Sequence, residues 1–187
     1  MKKFKLTSEF IVDISGVKLF RIKALIEFGN VKAGDLGGYI EKEENLSHMG
    51  DAWVFGNARV SGNAQVFGNA RVSGNAQVFG NAQVFGNARV FGDAWVSDDA
   101  RISGNARVSG NAQVFGDKDY AYAHGFGSCN RTTTFFRLKD GDVGVRCGCF
   151  YGTLAQFRDK VCETHGETKK AQEYLMLADL MEIRFKN

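Results

Sequence analysis

Valine or isoleucine stands at every sixth position from Val54 through Val60, Val66, Val72, Val78, Val84, Val90, Val96, Ile102 and Val108 to Val114, with alanine two residues before each. Alanine and valine separated by one polar residue form the alternation of a short strand, with both apolar side chains facing one way. The Gly-Asn or Gly-Asp pair between successive strands makes a corner, because glycine accepts positive φ and Asn or Asp tolerates the same region while bonding its own backbone. So short a strand cannot bury its apolar side alone. Repeats of this kind become stable by stacking on copies of themselves, and the segment is therefore a solenoid. Successive hairpins fail, since a six-residue unit leaves no room for paired antiparallel strands. The period also excludes heptads, pentapeptide repeats and nonapeptide calcium-binding solenoids.

The run resembles the hexapeptide-repeat family. That resemblance implies a left-handed parallel β-helix with three hexads to each triangular coil. At a strand spacing of about 4.8 Å the rod would be roughly 17 Å long. The family includes acyltransferases, γ-class carbonic anhydrases and non-catalytic scaffolds, so the fold alone does not decide function. Its acyltransferases use a histidine at a subunit boundary and a loop extruded from a coil, and its anhydrases need three histidines converging on zinc. The chain holds only His48, His124 and His165, none of them between Asp51 and Asp117, and the register never breaks. The expectation is a binding scaffold that is not an enzyme and carries no cofactor, with an acyltransferase-like activity as the weakest alternative.

Three hexads per coil would stack residues eighteen apart in columns and sort the outward side chains onto three faces. The first face carries Trp53, Arg71, Arg89 and Arg107 beside Phe55, Ser73, Phe91 and Ser109. The second carries Arg59, Gln77, Trp95 and Gln113, and the third Gln65, Gln83 and Arg101. Three guanidinium groups one strand apart repel one another unless anions or solvent screen them. With aromatic rings alongside, such a face suits phosphate, nucleic acid or an acidic surface. Ordinary filling of a solenoid surface, with Arg planes and Phe rings stacking along columns, is the competing account. The exposed aromatics also suggest self-association into a dimer or trimer.

Three regions follow: residues 1–48 as an N-terminal β cap, 49–117 as the rod, and 118–187 as a ββαα tail. In the cap, Phe10–Ile14, Lys18–Leu25 and Gly34–Ile40 read as strands that cover the first coil and block edge-to-edge growth. In the tail, Thr132–Leu138 and Val143–Cys147 read as a hairpin. Thr153 would cap a helix bearing Leu154, Phe157 and Val161, and Thr168 would open a second. The fold class is thus mainly β with two C-terminal helices. Cys147, Cys149, Cys162 and His165 form a weak candidate zinc set, since Cys-x-Cys is tighter than the usual spacing, and a buried thiol cluster is the simpler reading. A second candidate is a phosphate pocket in the run Ser128-Cys129-Asn130-Arg131-Thr132-Thr133-Thr134 together with Arg146, against threonines that merely populate a strand.

The net charge of +3 arises from 24 basic and 21 acidic residues spread evenly over the three regions, so no tail is polybasic or strongly acidic. Lys5, Ser8, Glu9 and Asp13 interrupt any apolar core of a signal sequence, no stretch could span a membrane, and the start reads as cytoplasmic. Over nearly its full length the chain also resembles small proteins encoded by phages and prophages, on Cys147-Gly148-Cys149-Phe150-Tyr151-Gly152-Thr153-Leu154 and Thr164-His165-Gly166. That resemblance implies an inhibitor of host defence in the host cytoplasm, whose partner is a defence protein or a phosphate-containing nucleotide signal. A structural or assembly solenoid is the alternative.

Overall fold

The computed structural model describes residues 1–128 and 130–186. Eleven two-residue strands run from β4 (Trp53–Val54), β5 (Arg59–Val60) and β6 (Gln65–Val66) to β14 (Gln113–Val114). Each of the first eight pairs in parallel with the strand eighteen positions on, as in Trp53 with Arg71 in β7 (Arg71–Val72), Arg71 with Arg89 in β10 (Arg89–Val90), and Arg89 with Arg107 in β13 (Arg107–Val108). The result is a β-solenoid of about four turns whose three faces are those expected from the sequence. Every inward Ala and Val of the run is fully buried. The corners are held by side-chain ladders, in which Asn69 Nδ2 donates to Asn87 Oδ1 and Asn87 Nδ2 to Asn105 Oδ1, both at 3.2 Å.

The two rod ends have opposite needs. Along the rod the N–H groups at alternate strand positions donate forward to the next turn, as from Trp53 N–H to Ala70 O at 3.0 Å and from Phe55 N–H to Val72 O at 2.8 Å. The first turn is left with unsatisfied carbonyls, and the last with unsatisfied N–H groups. Lys3 Nζ donates to Ala52 O at 2.8 Å and Gly50 O at 3.2 Å, and Asn45 Nδ2 donates to Ala64 O at 2.8 Å. At the far end Asp119 Oδ2 accepts from Phe115 N–H at 3.0 Å, Asp117 Oδ1 from Arg101 N–H at 3.0 Å, and Thr134 Oγ1 from Arg107 N–H at 2.9 Å. Donor side chains therefore close the entry end and acceptors the exit end.

The cap forms antiparallel strands β1 (Phe4–Val12) and β2 (Lys18–Ala24), followed by β3 (Leu36–Ile40), which pairs with β2 on one edge and in parallel with β5 on the other. The second face of the rod thus continues into the cap as a single sheet. β1 begins well before the expected Phe10 and ends at Val12. Asp13 leaves the strand because its carboxylate accepts from Ser15 and Val17 N–H groups in the turn.

The tail departs from the expected hairpin. Its sheet has four antiparallel strands, β15 (Tyr120–Phe126), β16 (Arg131–Arg137), β17 (Val143–Cys147) and β18 (Phe150–Thr153), followed by α1 (Leu154–His165) and α2 (Lys169–Phe185). The helices start at Thr153 and Thr168, whose hydroxyls accept from Gln156 and Ala171 N–H groups. Alternation in β16 divides the sheet's two sides. Phe135 joins the helices in a core with Val145, Phe157 and Tyr174, whereas Phe136 and Leu138 join the rod core.

Candidate functional site

Parity along β16 and β17 decides which tail side chains meet the rod. Thr134 stands opposite Arg146, and Thr132 opposite His124 of β15. These four share the side of Phe136, which faces the rod. Thr134 is fully buried and uses its hydroxyl on Arg107 N–H, so it fastens the tail to the rod rather than lining an open pocket. Arg146 reaches over the Phe91 ring, with its guanidinium carbon 5.4 Å from the ring centroid. Its Nε is buried without a hydrogen-bond partner among the described residues.

This docking turns a flat column into a cleft. Two depressions share Arg89 and Arg107 as a ridge. One, of about 530 Å³, is lined by Asn87, Asn105, His124, Asn130, Arg131 and Thr132. The other, also about 530 Å³, is lined by Phe55, Arg71, Ser73, Phe91 and Arg146. The first is polar, with His124 Nδ1 3.0 Å from Thr132 Oγ1. The second has an aromatic floor, over which Arg71 lies 6.0 Å from the Phe55 centroid.

Arg71, Arg89 and Arg107 are register partners on successive strands. Desolvation by packed neighbours, and then the charges of Arg107 and Arg71, push the Arg89 guanidinium below its ordinary pKa. Among the described residues no carboxylate pairs with Arg71, Arg89, Arg107, Arg131 or Arg146. Arg158, by contrast, pairs with Asp179 and Glu182 at 2.7 Å, which raises its pKa. Like charges held without internal counterions favour an external anion.

The turn that presents Arg131 is pinned from behind by α2. Gly127 N–H donates to Glu173 Oε2 at 2.7 Å, and Ser128 N–H to the Tyr174 hydroxyl at 3.0 Å. Burial pushes the Tyr174 phenol up. Asn130 takes positive φ, which turns the chain back into β16. Gly148 gives the Arg131 guanidinium room, because a Cβ there would stand 2.3 Å from Arg131 Nη1.

The two candidate sites of the sequence, the arginine column and the tail pocket, are therefore one place. Thr134, spent on fastening the tail, and Trp53 are the exceptions. Trp53 is buried beneath Phe4 and Phe28, whose ring centroids lie 6.2 and 5.3 Å away, so the cap removes it from the displayed face. Cys129 lies outside the described residues. His124, Asn87 and Asn105 line the cleft without having been singled out from the sequence, and the pairing of β15 with β16 brings in the first; Asn130 belongs to the run the sequence pointed to. Cys147 sits on the helix side near the Thr133 hydroxyl and Tyr174, while Cys149 and Cys162 are exposed. His165 packs against the Tyr174 ring, and among the described residues no group of three or more His, Cys, Asp or Glu could hold a metal. Among the described residues no helix is long and apolar enough to cross a membrane.

A family model described as the YdcK beta solenoid repeat matches residues 52–66, 64–80, 82–98 and 100–116. The similarity covers the rod and neither flank, and with the fold it makes this a β-solenoid repeat protein. No curated protein matches the chain.

Proposed function

We propose that the protein is a non-catalytic binding scaffold that holds a phosphate-bearing ligand in the cleft between rod and tail. The observation that carries this reading is the convergence of five arginines, three from the rod and two from the tail, with no carboxylate paired to them among the described residues. Guanidinium groups match phosphate oxygens in pairs, and a partly enclosed site strengthens that attraction over its value in water. Asn87, Asn105 and Thr132 add neutral hydrogen-bonding groups at the rim.

The solenoid belongs, in this reading, to the left-handed hexapeptide type. The resemblance to phage-encoded proteins supports a cytoplasmic counter-defence inhibitor, which withdraws a nucleotide signal by sequestering it. Direct masking of a defence protein would use the same charges against an acidic surface. Self-association would use a different place, the groove of about 500 Å³ on the second face where Trp95 and Phe79 meet the cap's Ile14 and Val17.

Calorimetric titration with inorganic triphosphate at low salt tests the anion site. Binding in the wild type that falls at least about tenfold in Arg89→Gln and Arg131→Gln, and weakens as salt rises, is the expected result. No binding at any salt would sink the proposal.

A further inference from the structure

The two halves of the cleft differ in chemistry, and the ridge between them carries the charge. The Phe91 side offers an aromatic floor with a planar guanidinium above it, and the Arg131 side offers amides, a hydroxyl and an imidazole. A bare polyanion would use the ridge and leave the aromatic floor idle. From this asymmetry, and resting on the phosphate reading above, the geometry points to a compact nucleoside polyphosphate whose base lies against Phe91 and Arg146 and whose phosphates cross Arg89 and Arg107 toward Arg131.

Stacking supplies the first half of the argument. Every base has a π-face that can lie on an aromatic ring or a guanidinium plane, and the arrangement tolerates any base. Arg146 already satisfies the geometry of a cation over a ring, and its Nε has no hydrogen-bond partner among the described residues.

Length supplies the second half. The ridge from Arg71 to Arg107 spans two strand spacings, roughly 10 Å. At one end the column stops at Trp53, buried under the cap, and at the other it stops where Thr134 fastens the tail. Single-strand grooves track about 4–16 nucleotides, which a ridge closed at both ends does not accommodate. Each depression is about 530 Å³, within the range of small-ligand pockets.

The test compares ATP, adenosine and inorganic triphosphate by calorimetry on the full chain at one salt concentration. ATP should bind about tenfold or more tighter than inorganic triphosphate, and adenosine should not bind measurably. Phe91→Leu should weaken ATP by about tenfold, the scale of one base stack, and leave inorganic triphosphate unchanged. Arg146→Lys keeps the charge but loses the plane, so it should cost ATP more than inorganic triphosphate. Equal affinities for the two triphosphates, with Phe91→Leu silent, would overturn the nucleotide assignment and leave the anion site standing. An oligonucleotide of ten residues binding more than about tenfold tighter than ATP would overturn the compact ligand in favour of a strand. If neither triphosphate binds, both readings fail together. Unchanged circular dichroism and melting of Phe91→Leu separate loss of stacking from loss of fold.

Discussion

Replacing Lys3 with methionine removes the amine that donates to Gly50 O and Ala52 O at the entry end of the rod. Two terms then oppose each other. Leaving these carbonyls without a donor costs about 1–3 kcal/mol for each that stays dry. Burial, against an opposing attraction from Asp51, lowers the Lys3 pKa from its ordinary 10.5 to about 8, so the charged amine carries a penalty in the folded state. At about 1.4 kcal/mol per pKa unit that penalty is about 3 kcal/mol. Below pH 8 the amine is protonated in both states and the penalty is fully present. Between about pH 8 and 10.5 the unfolded chain keeps a proton that the folded protein releases, so stability rises with pH. The neutral amine retains two N–H donors for the two carbonyls, and the rise is not offset by lost hydrogen bonds. Relative to Lys3→Met, the wild type should gain about 1 kcal/mol by pH 9 and about 2–3 kcal/mol by pH 10. Urea unfolding of both proteins from pH 7 to 10 measures the difference, in which the other titrating groups cancel. A gap that stays constant over that range, or narrows, would refute the account of Lys3 as a desolvated plug.

At the exit end, Thr134→Val keeps the shape and strips the acceptor from Arg107 N–H; urea unfolding should show a loss of about 1–3 kcal/mol. Asp98 is the one residue of the rod corners at positive φ that is not glycine, at +53°, and Asp98→Gly should raise stability by about 0.5–1 kcal/mol in the same assay. Gly92→Ala acts the other way, since φ is +75° and the new Cβ would stand 2.9 Å from Gly110 N; a drop in melting temperature equivalent to about 2 kcal/mol is expected. Arg89→Gln should stabilise the fold by a few tenths to about 1 kcal/mol at low salt while weakening anion binding, and the gain should fade as salt screens Arg71 and Arg107. A stabilisation that persists in molar salt would argue against charge repulsion as its source.

The rod was legible in the sequence because its register is arithmetic. Once Ala and Val face inward, every outward residue falls into a column with the residue eighteen positions on, and Arg71, Arg89 and Arg107 pair as that arithmetic requires. Trp53 obeys the same arithmetic and is nevertheless buried, because Phe4 and Phe28 return from far away in the chain to cover it. No local pattern carries that contact. The two extra tail strands escaped for a different reason. Tyr120–Phe126 carries aromatics that favour a strand, but Ala and Gly fill the positions between them, and Phe150–Thr153 is only four residues long with a glycine inside, so neither has the several β-branched residues of its neighbour. Their pairing comes from the neighbouring strands β16 and β17, which do carry that composition.

The location of the cleft follows from a limit that repetition places on binding. A column of one residue type on a straight solenoid makes a flat stripe of charge, open to water along its length and screened over about 10 Å at ordinary ionic strength. Concavity needs an element that breaks the repeat, and this chain has one at each end. The cap is spent on covering the first turn, where Trp53 is lost to the core. The tail is different, because β16 covers the last turn with Thr134 and Phe136 while the neighbouring positions Thr132 and Arg146 overhang the column. The contact that satisfies the final N–H of the arginine face is also the one that sets Arg146 over Phe91. Stability of the rod end and shape of the cleft are therefore coupled, and a substitution at Thr134 should disturb both while one at Asp119, which closes the second face, should disturb only the first. Measuring triphosphate binding in Thr134→Val and Asp119→Asn at matched folded fraction separates the two. Equal losses of affinity would mean that the cleft does not depend on where the tail is fastened.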